Sequence, residues 1–280
     1  MHLDSRLKQG ILTVEIVNPP ANCLSFDIRR SLYEPFTLSA TDPDIAAIVL
    51  TGSGKYFCAG GDLSEMGTPA ASAEPRLSAD LLPAIERCPK AIIAAIHGAA
   101  IGGGFELALA CHYRIALGNA RIALPEIRHG IIPLSGTIRL PRIWAVDRAL
   151  SMIMSSAAVT AEDFRGSAVF DCLVPCVETK PDIQREILLL ATRHFVTEQL
   201  LGGSDRARHS TRLVRNRPAP DDAAREVFEL ALTHYATNGF NRAQTAAVAA
   251  IRAGLESDFE AALQQAQRLY DDLIEAMPRR

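Results

Sequence analysis

The sequence has no apolar run near the roughly 20 residues a membrane-spanning helix needs. Its opening, MHLDSRLKQG, lacks the apolar stretch of a secretion signal. It also lacks a dominant charge sign. The formal net charge is -3, with acidic and basic residues interspersed, which argues against nucleic acid as the main partner. Paired cysteines are missing as well. Of the six cysteines only Cys172 and Cys176 lie close together, and no second pair or histidine cluster accompanies them to complete a zinc site. No metal is expected, and reduced thiols in a soluble, cytoplasmic protein are the expected state.

What the chain has in quantity is apolar residues, 48% of 280. That is enough for one large core, or for a main domain with a smaller appendage. Leu12, Val14 and Ile16 alternate with Thr13 and Glu15, the period of a half-buried strand. A helix is expected from Phe26 to Leu38, with Pro35 interrupting or ending it. Strands are expected over Ile45–Leu50, Ala91–Ile96, Tyr113–Leu117 and Ile122–Leu124, and helices over Leu81–Cys88 and Phe105–Cys111. Gly67–Ala79, rich in Ala, Pro and Ser, reads as a mobile loop. Alternating strands and helices imply α/β layering with parallel strands. After about residue 180 the pattern turns helical: Ile183–Phe195, Asp221–Thr237, Ala243–Ala253 and Asp258–Met277. Gly202-Gly203-Ser204 and Arg217-Pro218-Ala219-Pro220 read as breaks. An α/β core over residues 1–195 and a helical region over 196–280 are therefore expected.

Two segments carry chemical promise. In Phe57-Cys58-Ala59-Gly60-Gly61-Asp62-Leu63 small residues let a ligand approach the main chain, or form an ordinary turn. In Gly98-Ala99-Ala100-Ile101-Gly102-Gly103-Gly104-Phe105-Glu106 a strand runs into a glycine loop and then a helix, whose free amides stabilise an anion. Neither phosphate-loop nor dinucleotide-loop spacing is present, so a transient anion such as an enolate suits it better. Glu106 and Glu126 have apolar neighbours that raise a carboxyl pKa, useful for proton transfer; each also reads as an ordinary charge. His97, His112 and His129 read as structural, Lys90 and Arg87 as solvated.

These segments resemble the crotonase superfamily, the enoyl-CoA hydratases and isomerases, over about residues 10–175. The resemblance rests on Asn18-Pro19-Pro20-Ala21-Asn22, the Phe57–Asp62 segment, His97-Gly98 through Glu106, Pro125-Glu126-Ile127 and Arg139-Leu140-Pro141-Arg142, in that order. The part with Ala246-Ala247-Val248 and the helix from Asp258 is most similar to the amino-terminal hydratase region of multifunctional fatty-acid oxidation enzymes, without their dehydrogenase portion. The resemblance implies a spiral of strand–strand–helix turns with a helical C-terminal region. It implies an oxyanion hole from the amides of Ala59 and Gly103, with Ala59, Gly60, Gly61, Asp62 and Gly103 contacting the substrate. Glu106 and Glu126 would hold a water and add it across the 2,3 double bond of a 2-enoyl-CoA. Coenzyme A would enter as part of the substrate, with no separate cofactor, no nucleic acid and no membrane, in a homo-oligomer (trimer or hexamer). One departure from the family pattern stands at Pro133-Leu134-Ser135-Gly136-Thr137-Ile138-Arg139-Leu140, one residue shorter and two glycines poorer, with Ile138 in place of a glutamine. It keeps isomerisation, hydrolysis of a CoA thioester or a β-diketone, and non-catalytic acyl-CoA binding or partner docking open as alternatives.

Overall fold

The expected strand around Leu12 forms because Ile11, Val14 and Ile16 have a core to face. In the computed structural model, which describes residues 2–39, 41–177, 180–201, 209–235 and 239–277, these three are buried. The chain opens with β1 (Leu3–Lys8) and β2 (Ile11–Ile16), then α1 (Phe26–Leu38) and β3 (Ala47–Gly52). Next come α2 (Pro69–Ser72), α3 (Leu82–Arg87), β4 (Ala91–Ile96), β5 (Ala99–Ile101) and α4 (Gly103–Ala110). They are followed by β6 (Tyr113–Leu117), β7 (Arg121–Ala123), α5 (Gly136–Arg139), α6 (Val146–Ser155), β8 (Val159–Thr160) and β9 (Cys172–Val174). The rest of the described chain is helical: α7 (Pro181–Phe195), α8 (His209–Arg212), α9 (Asp222–Tyr235), α10 (Arg242–Glu256) and α11 (Phe259–Glu275).

Six strands form one sheet in the order β1-β2-β3-β4-β6-β9. Only the β1–β2 hairpin is antiparallel; every other pair is parallel, as the strand–helix alternation implied. All six residues of β3 and of β4 are buried, which is why they read as continuous apolar runs. β5, β7 and β8 form a second, smaller sheet. The segment after β3 extends it: Cys58 bridges Ala100, and Gly61 bridges Leu24. Each circuit thus leaves one strand in the large sheet, one short segment in the small sheet, and a helix. This is the expected spiral, and the chain belongs to the α/β class with a helical C-terminal region.

Several elements depart from expectation for identifiable reasons. Pro35 sits inside α1 without ending it. The stretch after Gly67 contains α2 and a further turn at Leu77–Leu81, and it is pinned rather than loose. Buried Arg29 donates to the Pro75 and Ala70 carbonyls at 3.1 and 2.7 Å and pairs with Glu65 at 3.2 Å. Glu65 in turn accepts from the Phe26 amide at 2.8 Å, at the start of α1. Lys90, expected to be solvated, donates to the Asp42 carbonyl at 3.1 Å. α5 and α6 had no expectation, because their apolar positions make sense only against α10 and α9. The expected break at Gly202-Gly203-Ser204, and Thr237, lie outside the described residues.

The C-terminal helices are stopped and started by local chemistry. Asn241 and Gln244 form a reciprocal cap on α10, and the Asp258 carboxylate accepts from the Ala261 amide at 2.9 Å to open α11. Buried faces of both helices join the same apolar cluster as the strands. Ile138 packs against Gly254 of α10, where a Cβ would come within 3.3 Å of its Cδ1. Phe259 lies under three guanidinium groups, with Arg139 4.9 Å, Arg142 5.5 Å and Arg215 5.6 Å from its ring centre. Arg139 and Arg215 both bond the buried Glu86 carboxylate, at 2.7 and 3.0 Å.

Candidate active site

The Phe57–Gly61 segment lies between two neighbours in the small sheet. The Cys58 amide donates to Ala99 O and accepts through its carbonyl from the Ile101 amide; the Ala59 amide donates to Ala21 O at 3.0 Å, and Gly60 O accepts from the Leu24 amide at 2.8 Å. Ala59 was expected to be one of two amides aimed at a ligand. The bond to Ala21 occupies that donor. Gly60 then turns the chain at φ +94°, a left-handed conformation that suits glycine. The next amide, of Gly61, has no partner among the described residues, nor has that of Gly103 at the start of α4. A Cβ built on Gly103 would lie 3.5 Å from the Gly61 nitrogen and 2.8 Å from Leu77 Cδ2. The structure therefore sets the Gly61 and Gly103 amides on either side of one small space, walled by Leu77 and Leu24. Asp62 accepts from the Ser64 amide and hydroxyl, at 2.9 and 2.6 Å, and closes a tight turn.

α4 carries Glu106 in its first turn, and all eight of its residues are buried. Glu106 Oε1 accepts from the Ser135 hydroxyl at 2.9 Å and the Gly136 amide at 2.7 Å. Burial pushes the Glu106 pKa up; those donors and the Arg139 charge pull against it. Glu126 opens the turn Glu126–His129. Its Oε1 lies against Gly102, where a Cβ would approach to 2.6 Å, so with φ +53° this position accepts only glycine without strain. Glu126 Oε2 is enclosed and unpartnered among the described residues. Burial first, and then the Glu106 charge, hold the Glu126 carboxyl well above the usual carboxylate range. One carboxyl is thus braced by donors from the 133–138 loop, while the other, with Oε2 unpartnered among the described residues, holds its proton more tightly.

The expected site residues Glu106, Glu126 and Gly103 come together here, with Gly60, Gly61 and Asp62 alongside. The altered 133–138 loop is part of the site: it supplies both donors to Glu106. The resemblance to the family sets this loop beside the water and acyl sites; which of its groups would reach Glu106 has no signal in the sequence. Arg29 and Glu65, which fix the loop bearing Leu77, left no signal in the sequence. The histidines are structural. His97 Nε2 donates to Gly54 O at 3.0 Å and His112 Nδ1 accepts from the Ile92 amide at 3.2 Å; burial pulls each down to about 4. His129 is exposed at the end of its turn. Among the described residues no group of three or more His, Cys, Asp or Glu side chains is placed to hold a metal ion. No described helix is long and apolar enough to cross a membrane.

The sequence model of the enoyl-CoA hydratase/isomerase family matches residues 6–196. The chain belongs to that family. A probable enoyl-CoA hydratase of Bacillus subtilis is 42% identical over 160 residues, covering 55% of this chain and 62% of that protein. The peroxisomal bifunctional enzyme of Danio rerio is 41% identical over 158 residues, 56% of this chain and 22% of that one. The chain thus spans less than two thirds of either relative. Among solved structures, an enoyl-CoA hydratase of Mycobacterium avium has a TM-score of 0.63 at 27% identity, covering 97% of this chain and 100% of that one.

Proposed function

We propose that this chain hydrates a 2-enoyl-CoA thioester, adding water across the 2,3 double bond. The observation that carries the reading is the unequal pair of carboxyls beside two unpartnered amides. The thioester oxygen accepts from the Gly61 and Gly103 amides at the positive end of α4, so the thioester carbonyl is polarised and carbon 3 becomes electrophilic. Glu106, braced by Ser135 and Gly136, takes a proton from the water as its oxygen bonds to carbon 3. The electron pair moves through carbon 2 to the thioester oxygen, giving an enolate. Glu126, the carboxyl that holds its proton more tightly, delivers that proton to carbon 2, and the carbonyl reforms. Two carboxyls with pKa values driven apart by their surroundings divide the acid and base roles in this way. The Gly60–Asp62 backbone lies beside the CoA portion of the substrate. The reading needs no cofactor, and it keeps the cytoplasmic setting and the homo-oligomer as parts of the proposal; the six free cysteines are compatible with a reducing compartment.

Crotonyl-CoA loses its conjugated-thioester absorbance on hydration, and the protein should cause that loss. A folded sample inactive on every chain length overturns the reading. Glu106→Gln separates hydration from double-bond isomerisation: a hydratase should lose about two or more orders of magnitude, whereas an isomerase, needing one carboxyl, keeps part of its rate.

A further inference from the structure

α11 does more than cover the core. Phe259, Ala262, Ala266 and Leu273 are its buried residues. Tyr270 stands four residues after Ala266 and three before Leu273, on that same inward face. The two ends of the helix locate it. At one end Phe259 lies under the Arg139 guanidinium, at the end of α5; α5 begins with Gly136, which bonds Glu106. At the other end Met277 Cε is 3.5 Å from where a Cβ on Gly130 would stand, directly after the turn that Glu126 opens. α11 packs on α5. It therefore crosses from the support of one carboxyl to the support of the other, with Tyr270 in the span between them.

We propose that the Tyr270 hydroxyl donates a hydrogen bond to the oxygen that hydration places on carbon 3 of the acyl chain. Burial, and then the Glu106 and Glu126 charges, push the phenol up to about 12, while Arg29 across the site pulls it down. The phenol feels charges from both walls and keeps its proton near neutral pH, so it is a donor. Tyr270 has no hydrogen-bond partner among the described residues. A 3-hydroxyl between the two carboxyls gives its hydrogen to Glu106 and has lone pairs to offer. Butyryl-CoA has nothing at that position, and the conjugated enoyl substrate has no oxygen there. The contact selects for the hydroxylated acyl chain.

The inference rests on the hydratase reading, and its test is a binding preference rather than a rate. Calorimetry on the full chain carrying Glu126→Gln, to hold the ligand unreacted, compares 3-hydroxybutyryl-CoA with butyryl-CoA. Adding Tyr270→Phe should reduce the preference for the hydroxylated ligand about five-fold, the scale of one net hydrogen bond, with an unchanged melting temperature. An unchanged preference overturns the inference, as does an equal weakening of both ligands, which would make Tyr270 a packing residue. Loss of hydratase turnover is read separately: a wild-type protein inactive on enoyl-CoA sinks the hydratase reading even where the five-fold change is found.

Discussion

The spiral core and the C-terminal helical layer contribute to the site in different currencies. The core contributes backbone. After β3 the amides of Phe57, Cys58 and Ala59 donate to the His97, Ala99 and Ala21 carbonyls, whereas those of Gly61 and Gly103 have no partner among the described residues. The helical layer contributes side chains: Phe259 under three arginines, and Met277 against Gly130 directly after the Glu126 turn. A backbone donor is placed by sheet geometry and survives a change of side chain that leaves its space open. A side chain brought over the site by a helix depends on how that helix docks.

The comparison predicts different kinds of damage. The largest effect should follow Phe259→Ala in the helical layer: loss of a buried ring between three guanidiniums should cost about 3–5 kcal/mol of stability, read by denaturant unfolding. A cost below about 1 kcal/mol would mean that the layer is held elsewhere. In the core, Gly103→Ala places a methyl against the Gly61 amide and should lower kcat about 10²–10³-fold, near the loss of one oxyanion donor. Gly61→Ala is its control. A Cβ there meets nothing within 4 Å, so the backbone donor should survive and activity should stay close to wild type. Equal losses in the two variants would break the assignment of these amides.

The smallest effect is in pH dependence. The folded protein holds the Glu126 proton more tightly than the unfolded chain does. A carboxyl with a raised folded pKa contributes stability that is complete below its unfolded value of about 4.3 and is lost as pH rises through the folded value. Glu126→Gln cannot ionise, so its melting temperature should exceed the wild type at about pH 8 and converge with it at about pH 4. A gap that widens in acid would mean that Glu126 is ionised and paired instead.

Periodicity and composition made much of the scaffold legible. β4 and β6 fall where their apolar runs begin and end, and the helices after residue 180 fall close to their amphipathic stretches. α5 was invisible because it has four residues and is defined by its packing on α10 and α11. In the site, the glycines marked where the main chain would be approached, but not which amide would be free. Ala59 and Gly61 are alike as letters; only pairing with Ala21 takes the first out of use.

The α/β class, the family and the glycine and glutamate positions of the candidate site were legible in the residues alone, because they depend on local chemistry and short-range order. Only folding decided that the Ala59 amide bonds Ala21 while that of Gly61 has no partner among the described residues, that Ser135 and Gly136 brace Glu106, and that Glu126 Oε2 has no partner among them. It alone brought Tyr270 within reach of the Glu106 and Glu126 charges, more than 160 residues along the chain from Glu106. Such decisions follow from which groups fold into hydrogen-bonding distance and which are shut away from water, and neither is encoded in the spacing of residues along the chain.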